Sequence, residues 1–254
     1  MTWNPERYLA FGDERTRPAL DLLARVPLVQ PARVADLGCG PGNSTRLLCE
    51  RWPQARVVGI DSSAAMLAKA EGSGIQARWL ESDITAWTPD VPFDLLFSNA
   101  ALHWLPDHAR LLPRLLGHLR PGGALAIQMP RNFTAPSHTL LREVASAGLW
   151  AKSLAPRLDE EPVATPEWYH DLLAPLAAAL DIWQTEYLHV LEGDDPVLGW
   201  VRGTALRPVI AALSAEEQVL LEAEYARRLR LAYPKRPDGR TLFPFRRLFI
   251  VATV

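Results

Sequence analysis

The sequence predicts an α/β protein with a doubly wound, mostly parallel seven-stranded sheet and a helical cap built from insertions late in the chain. Three observations predict it. Short apolar runs alternate with segments of helical periodicity through the first half, and a glycine-rich turn joins the first run to its helix. Two later strand-like runs, one of them at the C-terminus, flank a second helical stretch.

The first 30 residues carry the aromatic side chains Trp3, Tyr8 and Phe11, then the charged stretch 13–17, then apolar positions at Leu20, Leu23 and Val26, the spacing of a helix or lid. Strand-like runs follow at Arg33–Leu37, Arg56–Ile60, Phe93–Ser98 and Ala124–Met129, separated by helical segments Ser44–Arg51, Ala64–Glu71 and Ala109–Leu119. Such alternation implies parallel strands with right-handed crossovers. Pro121-Gly122-Gly123 reads as a helix stop and a turn into the run at Ala124. Residues 136–179 are helical and proline-punctuated, and Ser214 with Glu217 forms a capping box before a periodic stretch to Tyr233. Ile182–Leu191 and Arg246–Val254 are the late strands.

A chain of 254 residues with 48% hydrophobic and 22% charged side chains suits one large α/β domain. The expected division within it is a core over 30–130, cap insertions over 135–180 and 195–240, and late strands over 181–191 and 245–254. No window approaches about 18 uninterrupted apolar residues and no signal-peptide pattern opens the chain, so a cytoplasmic location and no membrane partner are expected. A net charge of −2 without a Lys/Arg run argues against duplex nucleic acid. Cys39 and Cys49 read as packed small hydrophobes, since two thiols without a nearby His cluster make neither a disulfide framework nor a zinc site.

The chemistry starts at Asp36-Leu37-Gly38-Cys39-Gly40-Pro41-Gly42-Asn43-Ser44, where glycines let backbone approach a ligand closely. Counting from Gly38, Asn43 stands where the dinucleotide fingerprint needs its third glycine, which disfavours a nicotinamide cofactor. A P-loop is excluded because no Gly-Lys-Ser/Thr follows. Asp61 ends the second strand about 20 residues on, the position of a carboxylate that accepts from both hydroxyls of a ribose. Asp83 and Ile84 follow the apolar pair Trp79-Leu80, placed to meet an adenine amino group and ring.

The order Asp36, Gly38-x-Gly40-x-Gly42, Asp61, Asp83 and Asn99 before Pro121-Gly122-Gly123 resembles the class I S-adenosylmethionine-dependent methyltransferases, whose fold is Rossmann-like, over roughly residues 30–130. The resemblance implies S-adenosylmethionine as cofactor, held by Tyr8, Arg15, Asp36, Gly38, Gly40, Gly42, Asn43, Ser44, Asp61, Ser62, Met66, Asp83, Ile84, Asn99, Ala100 and Trp104. Taken singly, Asp61 also fits a helix N-cap, Asp83 a turn and Asn99 a capped strand end; their joint spacing favours the cofactor.

A sulfonium methyl is already activated, so in-line transfer chiefly requires positioning, and a carboxylate acceptor is ionised at neutral pH without a general base. No catalytic side chain is therefore assigned. Trp104 and His103 are the nearest candidates, His103 for packing or hydrogen bonding before base chemistry, and Trp104 either near the sulfonium or as an anchor under the cap. No metal is expected, because Asp61 and Asp83 are assigned to adenosine and Asp94 lies at a strand start.

A narrower resemblance runs through Trp3-Asn4-Pro5, Glu14-Arg15-Thr16-Arg17-Pro18, Asn99-Ala100-Ala101-Leu102-His103-Trp104, Gln128-Met129-Pro130-Arg131-Asn132, Trp200-Val201-Arg202-Gly203-Thr204 and Phe243-Pro244-Phe245-Arg246-Arg247. These segments look like the trans-aconitate 2-methyltransferase family. The resemblance implies ester formation on a small polycarboxylic acid, with Trp104, Arg131, Asn132, Trp200 and Arg207 at the acceptor, since arginine suits bidentate carboxylate recognition. Methyl transfer to another small acid, a phenol or an amine is the alternative reading, and a cofactor-binding regulatory protein without catalysis is the minor one.

Overall fold

The computed structural model describes residues 12–148, 150–154 and 161–254. Helix α1 (Gly12–Ala24) precedes a regular alternation: β1 (Arg33–Leu37), α2 (Asn43–Arg51), β2 (Arg56–Asp61), α3 (Ala64–Glu71), β3 (Arg78–Glu81), β4 (Phe93–Asn99), α4 (His108–Leu116) and β5 (Leu119–Pro130). Helices α5 (Pro136–Ala147), α6 (Ala151–Leu154) and α7 (Pro166–Leu173) lead to β6 (Ala179–Leu191). Helices α8 (Pro196–Arg202), α9 (Arg207–Ile210) and α10 (Ala215–Ala232) then lead to β7 (Thr241–Thr253).

The seven strands form one sheet in the order β3-β2-β1-β4-β5-β7-β6. β1 pairs in parallel with both β2 and β4, β2 with β3, and β4 with β5, while β7 runs antiparallel to β5. The order reverses between β1 and β4, and ligands of open α/β sheets collect at the carboxyl ends of strands beside such a switch point.

The chain divides into two compact units. The first, here the sheet unit, comprises 13–130, 162–185 and 247–254. Its central strands are buried on both faces, which is why they read as continuous apolar runs: Val34, Ala35 and Leu37 in β1, and Leu95, Leu96 and Phe97 in β4. Asp94, buried at the start of β4, accepts from the Ala32 and Arg33 N–H groups at 2.7 Å each. The apolar stripe of α1 is Ala19, Leu22 and Leu23, with Val26 just beyond; Leu20, expected in it, is exposed because Leu22 takes the inward position.

Three boundaries differ from the sequence reading, the first two for hydrogen-bonding reasons. Pro121-Gly122-Gly123 is not a turn before a strand but part of β5, which starts at Leu119 with a register irregularity opposite Phe93 and Leu95 and a positive φ at Gly122. Helix α4 accordingly ends at Leu116 instead of Leu119, and the His118 carbonyl accepts from the Phe93 N–H at 2.9 Å. β7 starts at Thr241 instead of Arg246.

The second compact unit, here the helical unit, includes the described residues of 131–161 and 186–246. Its core packs Leu141, Val144, Leu221, Tyr225 and Leu229 with the rings of Trp200, Phe243 and Phe245. The Tyr225 hydroxyl donates to the Ser137 carbonyl, and the Ser137 N–H donates to the Tyr233 hydroxyl at 3.0 Å, tying α10 to the first turn of α5. Both halves of the capping box form: Glu217 N–H donates to Ser214 Oγ at 3.3 Å and Ser214 N–H to Glu217 Oε2 at 2.8 Å. Helix α7 falls in the sheet unit, where Tyr169 is buried with its hydroxyl 2.6 Å from His108 Nδ1. Among the described residues no helix is long and apolar enough to cross a membrane.

Candidate functional site

The turn after β1 is pinned to β2, because the Gly38 and Cys39 N–H groups both donate to the Ile60 carbonyl, at 2.8 and 3.0 Å. Its glycines serve different ends. At Gly38 (φ +73°) a Cβ would stand 2.2 Å from the Ala101 Cβ, so only glycine admits the loop after β4 this closely. At Gly40 (φ +55°) a Cβ would point into open space, with nothing within 4 Å, so the backbone there is approachable by a ligand. Gly42 (φ +93°) is the N-cap of α2, where the left-handed backbone favours glycine and a Cβ would also press on Ile75 and Trp79.

Asp61 closes over this turn from the end of β2. Its Oδ2 accepts from the Gly40 N–H and its Oδ1 from the Ser63 N–H, each at 2.9 Å, which fixes the carboxylate while leaving each oxygen further acceptor capacity for ribose hydroxyls. Ile84 is buried beneath the turn, 3.9 Å from the Cβ position of Gly38, and Met66 is buried on α3. Asp83 is exposed; its Oδ1 accepts from the Thr85 N–H at 2.8 Å, and hydrogen bonds from Thr85 hold its carboxyl below the usual range. Asn43 and Ser62 are exposed at the starts of α2 and α3.

Asp36 has a different place. It is fully buried, and its Oδ2 accepts from Ser44 Oγ at 2.7 Å and Thr45 Oγ1 at 2.6 Å, while Oδ1 is buried without a hydrogen-bond partner. Both Asp36 and Ser44 are thus engaged in fastening α2 to β1. Burial pushes the Asp36 carboxyl up from 3.8 to about 6. An acid whose folded pKa is raised stabilises the fold fully below its unfolded pKa and loses that contribution as pH rises through the folded value. Asp36→Asn, which keeps an acceptor for both hydroxyls, is therefore expected to make the ligand-free chain about 2–3 kcal/mol more stable at pH 8 and to flatten its stability between pH 4 and 6. Denaturant midpoints across that range check it; an unchanged slope would contradict the assignment.

The loop after β4 is strained. Ala100 has φ +54°, and its N–H donates to the Gln128 carbonyl at 2.9 Å. Asn99 is half-buried with Oδ1 lacking a partner. Trp104 is 59% exposed, so its ring is open to contact and anchors no core, and its centroid lies 4.7 Å from that of His103. Burial, then the nearby Arg247 guanidinium, pushes His103 down to about 3, leaving a neutral imidazole and a weak base at physiological pH.

Of the acceptor residues expected from the sequence, Arg131 and Asn132 line a cavity of about 520 Å³ within the helical unit, together with Arg236, Arg246 and Glu186. Arg246 pairs with Glu186 at 3.7 Å, and both side-chain polar atoms of buried Asn132 lack partners. Arg207 opens α9 and is half-exposed. Trp200 requires correction: it is 2% exposed among Phe243, Phe245 and His189, so packing consumes its ring. Arg15 lies in α1, and Tyr8 lies outside the described residues. Sequence reasoning gave Gln128 no role, although one amide in the otherwise apolar run Ala124–Met129 was a signal, and it weighed Arg246 or Arg247 among the late arginines without choosing between them; Gln128 and Arg247 are both buried. Among the described residues no group of three metal-ligating side chains occurs.

Residues 34–123 match a family described as a methyltransferase domain. Relatives match along nearly the whole chain: trans-aconitate 2-methyltransferase of Azoarcus sp. is 57% identical over 99% of this chain and 98% of its own, and that of Variovorax paradoxus is 51% identical over 99% and 98%. Among solved structures, the YcgJ protein of Bacillus subtilis aligns with TM-score 0.58 at 16% identity, covering 93% of this chain and 98% of that one. Phosphoethanolamine N-methyltransferase 2 of Haemonchus contortus aligns with TM-score 0.55 at 18% identity, covering 93% of this chain and 52% of that one, about half its length. The structural matches carry the fold alone, whereas the full-length identities carry the family. This chain belongs to the trans-aconitate 2-methyltransferase family, within the class I S-adenosylmethionine-dependent methyltransferases.

Proposed function

We propose that this protein uses S-adenosylmethionine to methylate one carboxylate of trans-aconitate, giving its monomethyl ester. The observation that carries the cofactor half is Asp61 accepting from the Gly40 N–H, which sets a carboxylate edge beside backbone open to a ligand. Identity of 57% along the full chain to a trans-aconitate 2-methyltransferase supports the acceptor half. The spare acceptor capacity of the Asp61 carboxylate and the open space at Gly40 fit a group bearing hydroxyl donors.

When bound, S-adenosylmethionine supplies a methyl group activated by its sulfonium. The acceptor carboxylate, with a pKa near 4, is already ionised. Bound S-adenosylmethionine would supply the methyl to a carboxylate oxygen with its own sulfur as leaving group, so no residue of the chain would need to move a proton. The chain's contribution is then orientation and exclusion of water. Asp61 orients the ribose, Ile84 and Met66 bound the adenosine, and Trp104 covers the reacting end. His103 stays neutral and transfers no proton. Arg131, Asn132 and Arg207 recognise acceptor carboxylates, and the guanidinium-rich cavity lining suits a polyanion.

The test is transfer of labelled methyl from S-adenosylmethionine to trans-aconitate, with cis-aconitate, isocitrate, citrate and a phenol in parallel. Selective ester formation on trans-aconitate is expected; transfer only to the phenol overturns the acceptor. Because neither partner titrates near neutrality, kcat is expected to be flat from pH 6 to 9, and a limb with a pKa between 6 and 7 would reinstate a histidine base. Asp61→Ala should weaken cofactor affinity by about 1–3 kcal/mol through lost charge-assisted hydrogen bonds. Calorimetric titration with S-adenosylhomocysteine reads this directly, and unchanged affinity refutes the ribose assignment.

A further inference from the structure

Gln128 is fully buried near the carboxyl end of an apolar strand, and neither Oε1 nor Nε2 has a hydrogen-bond partner. Folded chains rarely leave both ends of a buried amide unmade, so the position is shaped for something that completes it. Its neighbours point the same way. Asn99 pairs with Gln128 across β4 and β5, so their side chains share one face of the sheet, and Asn99 Oδ1 is likewise buried without a partner. Arg247 pairs with Pro130, two positions along β5, and alternation along the strand puts it on that same face. Arg247 is 5% exposed, and its guanidinium is close enough to His103 to disfavour a proton there. His103 Nδ1 is also buried without a partner.

These four residues all belong to the sheet unit and gather at the carboxyl ends of β4 and β5. The set combines one guanidinium, two amides and a neutral imidazole, and the guanidinium, the amide NH2 groups and the imidazole N–H are donors suited to a carboxylate. A neutral set without the guanidinium would suit a hydroxyl equally well; a guanidinium in the set favours an anion through charge-assisted hydrogen bonds.

We propose that Gln128 and Arg247, with His103 and Asn99 beside them, form a cradle for a carboxyl group of the acceptor other than the one methylated, and so select polycarboxylates over monocarboxylates and phenols. The inference rests on the acceptor reading above and assigns its specificity to residues of the sheet unit. Gln128 donates Nε2–H to a carboxylate oxygen, and the Arg247 guanidinium supplies the compensating charge. Gln128 is a specificity residue and takes no part in bond making.

The experiment compares the full-length wild type with Gln128→Met, close in volume but without hydrogen-bonding atoms, and with Gln128→Glu, which sets an anion in the cradle. Each is assayed with trans-aconitate and with an unsaturated dicarboxylate lacking one of its carboxyl groups. For Gln128→Met, KM for trans-aconitate should rise about tenfold with kcat and S-adenosylhomocysteine affinity near wild type, and the preference over the dicarboxylate should shrink by a similar factor. Gln128→Glu should lose about a hundredfold or more in kcat/KM on the tricarboxylate. Variants that keep wild-type KM and discrimination overturn the cradle while leaving the proposed activity intact. A wild type that methylates none of the acids overturns both, and this shows before any variant is compared. Should the variants lose cofactor binding, a crystal structure of the wild type with S-adenosylhomocysteine and trans-aconitate decides: a carboxylate oxygen about 3 Å from Gln128 Nε2 supports the cradle, and water alone at the amide overturns it.

Discussion

Gly38→Ala is expected to lower cofactor affinity by about a hundredfold or more, some 3 kcal/mol, and to destabilise the ligand-free fold as well. Two costs combine. The residue holds φ +73°, where an L side chain costs about 1–2 kcal/mol. Its Cβ would also stand 2.2 Å from the Ala101 Cβ, and overpacking of this kind costs about 1–3 kcal/mol. The clash falls on the loop that follows Asn99 and carries Ala100 and Trp104, so relieving it moves the site itself. Gly40→Ala is the informative contrast. Its Cβ meets nothing in the free protein, so the fold should lose only the strain of positive φ while a ligand approaching the backbone is still obstructed. Thermal melts and calorimetric titration with S-adenosylhomocysteine measure both variants. A Gly38→Ala protein binding within a few-fold of wild type would show that the loop after β4 yields more readily than its geometry implies.

Trp200→Ala should cost about 3–5 kcal/mol of stability, the range for deleting a buried large aromatic side chain. The ring is 2% exposed and contacts Phe243 and Phe245 at centroid separations of 5.8 and 5.7 Å, with His189 at 4.5 Å, so its removal leaves a cavity in the centre of the helical unit's core. Trp200→Phe, which keeps much of that packing, should fold and retain the wild-type KM for the acceptor. Denaturant unfolding and steady-state kinetics separate the two roles. A folded Trp200→Phe protein with a KM raised tenfold would return Trp200 to the acceptor site.

Periodicity made the alternation from Arg33 to Met129 legible because buried parallel strands are continuously apolar and their helices are amphipathic. Spacing made Asp61 legible because its work is local: it reaches Gly40 across one strand pair. Trp200 was misread because an aromatic side chain gives no hint, within its own segment, of whether it meets a ligand or Phe243 and Phe245, which lie over forty positions away. Leu20 was misread by a similar ambiguity, since adjacent leucines at 20, 22 and 23 permit more than one helical stripe. Gln128 was passed over, and Arg247 was not told apart from Arg246, because their meaning comes from which strands lie beside them.

The amino-acid order alone determined the doubly wound architecture, the glycine turn, the strand-end carboxylates and the resemblance that pointed to the family, because each rests on contacts within or between neighbouring segments. Tertiary structure decided what each polar side chain does. It turned Asp36 into a buried fastening for α2 with a raised pKa, and it made His103 neutral. It also set Gln128 beside Asn99 and on the face of Arg247. The reason is physical: desolvation and orphaned hydrogen bonds arise only when residues distant in sequence close over a group and remove its water, and no local pattern encodes that closure.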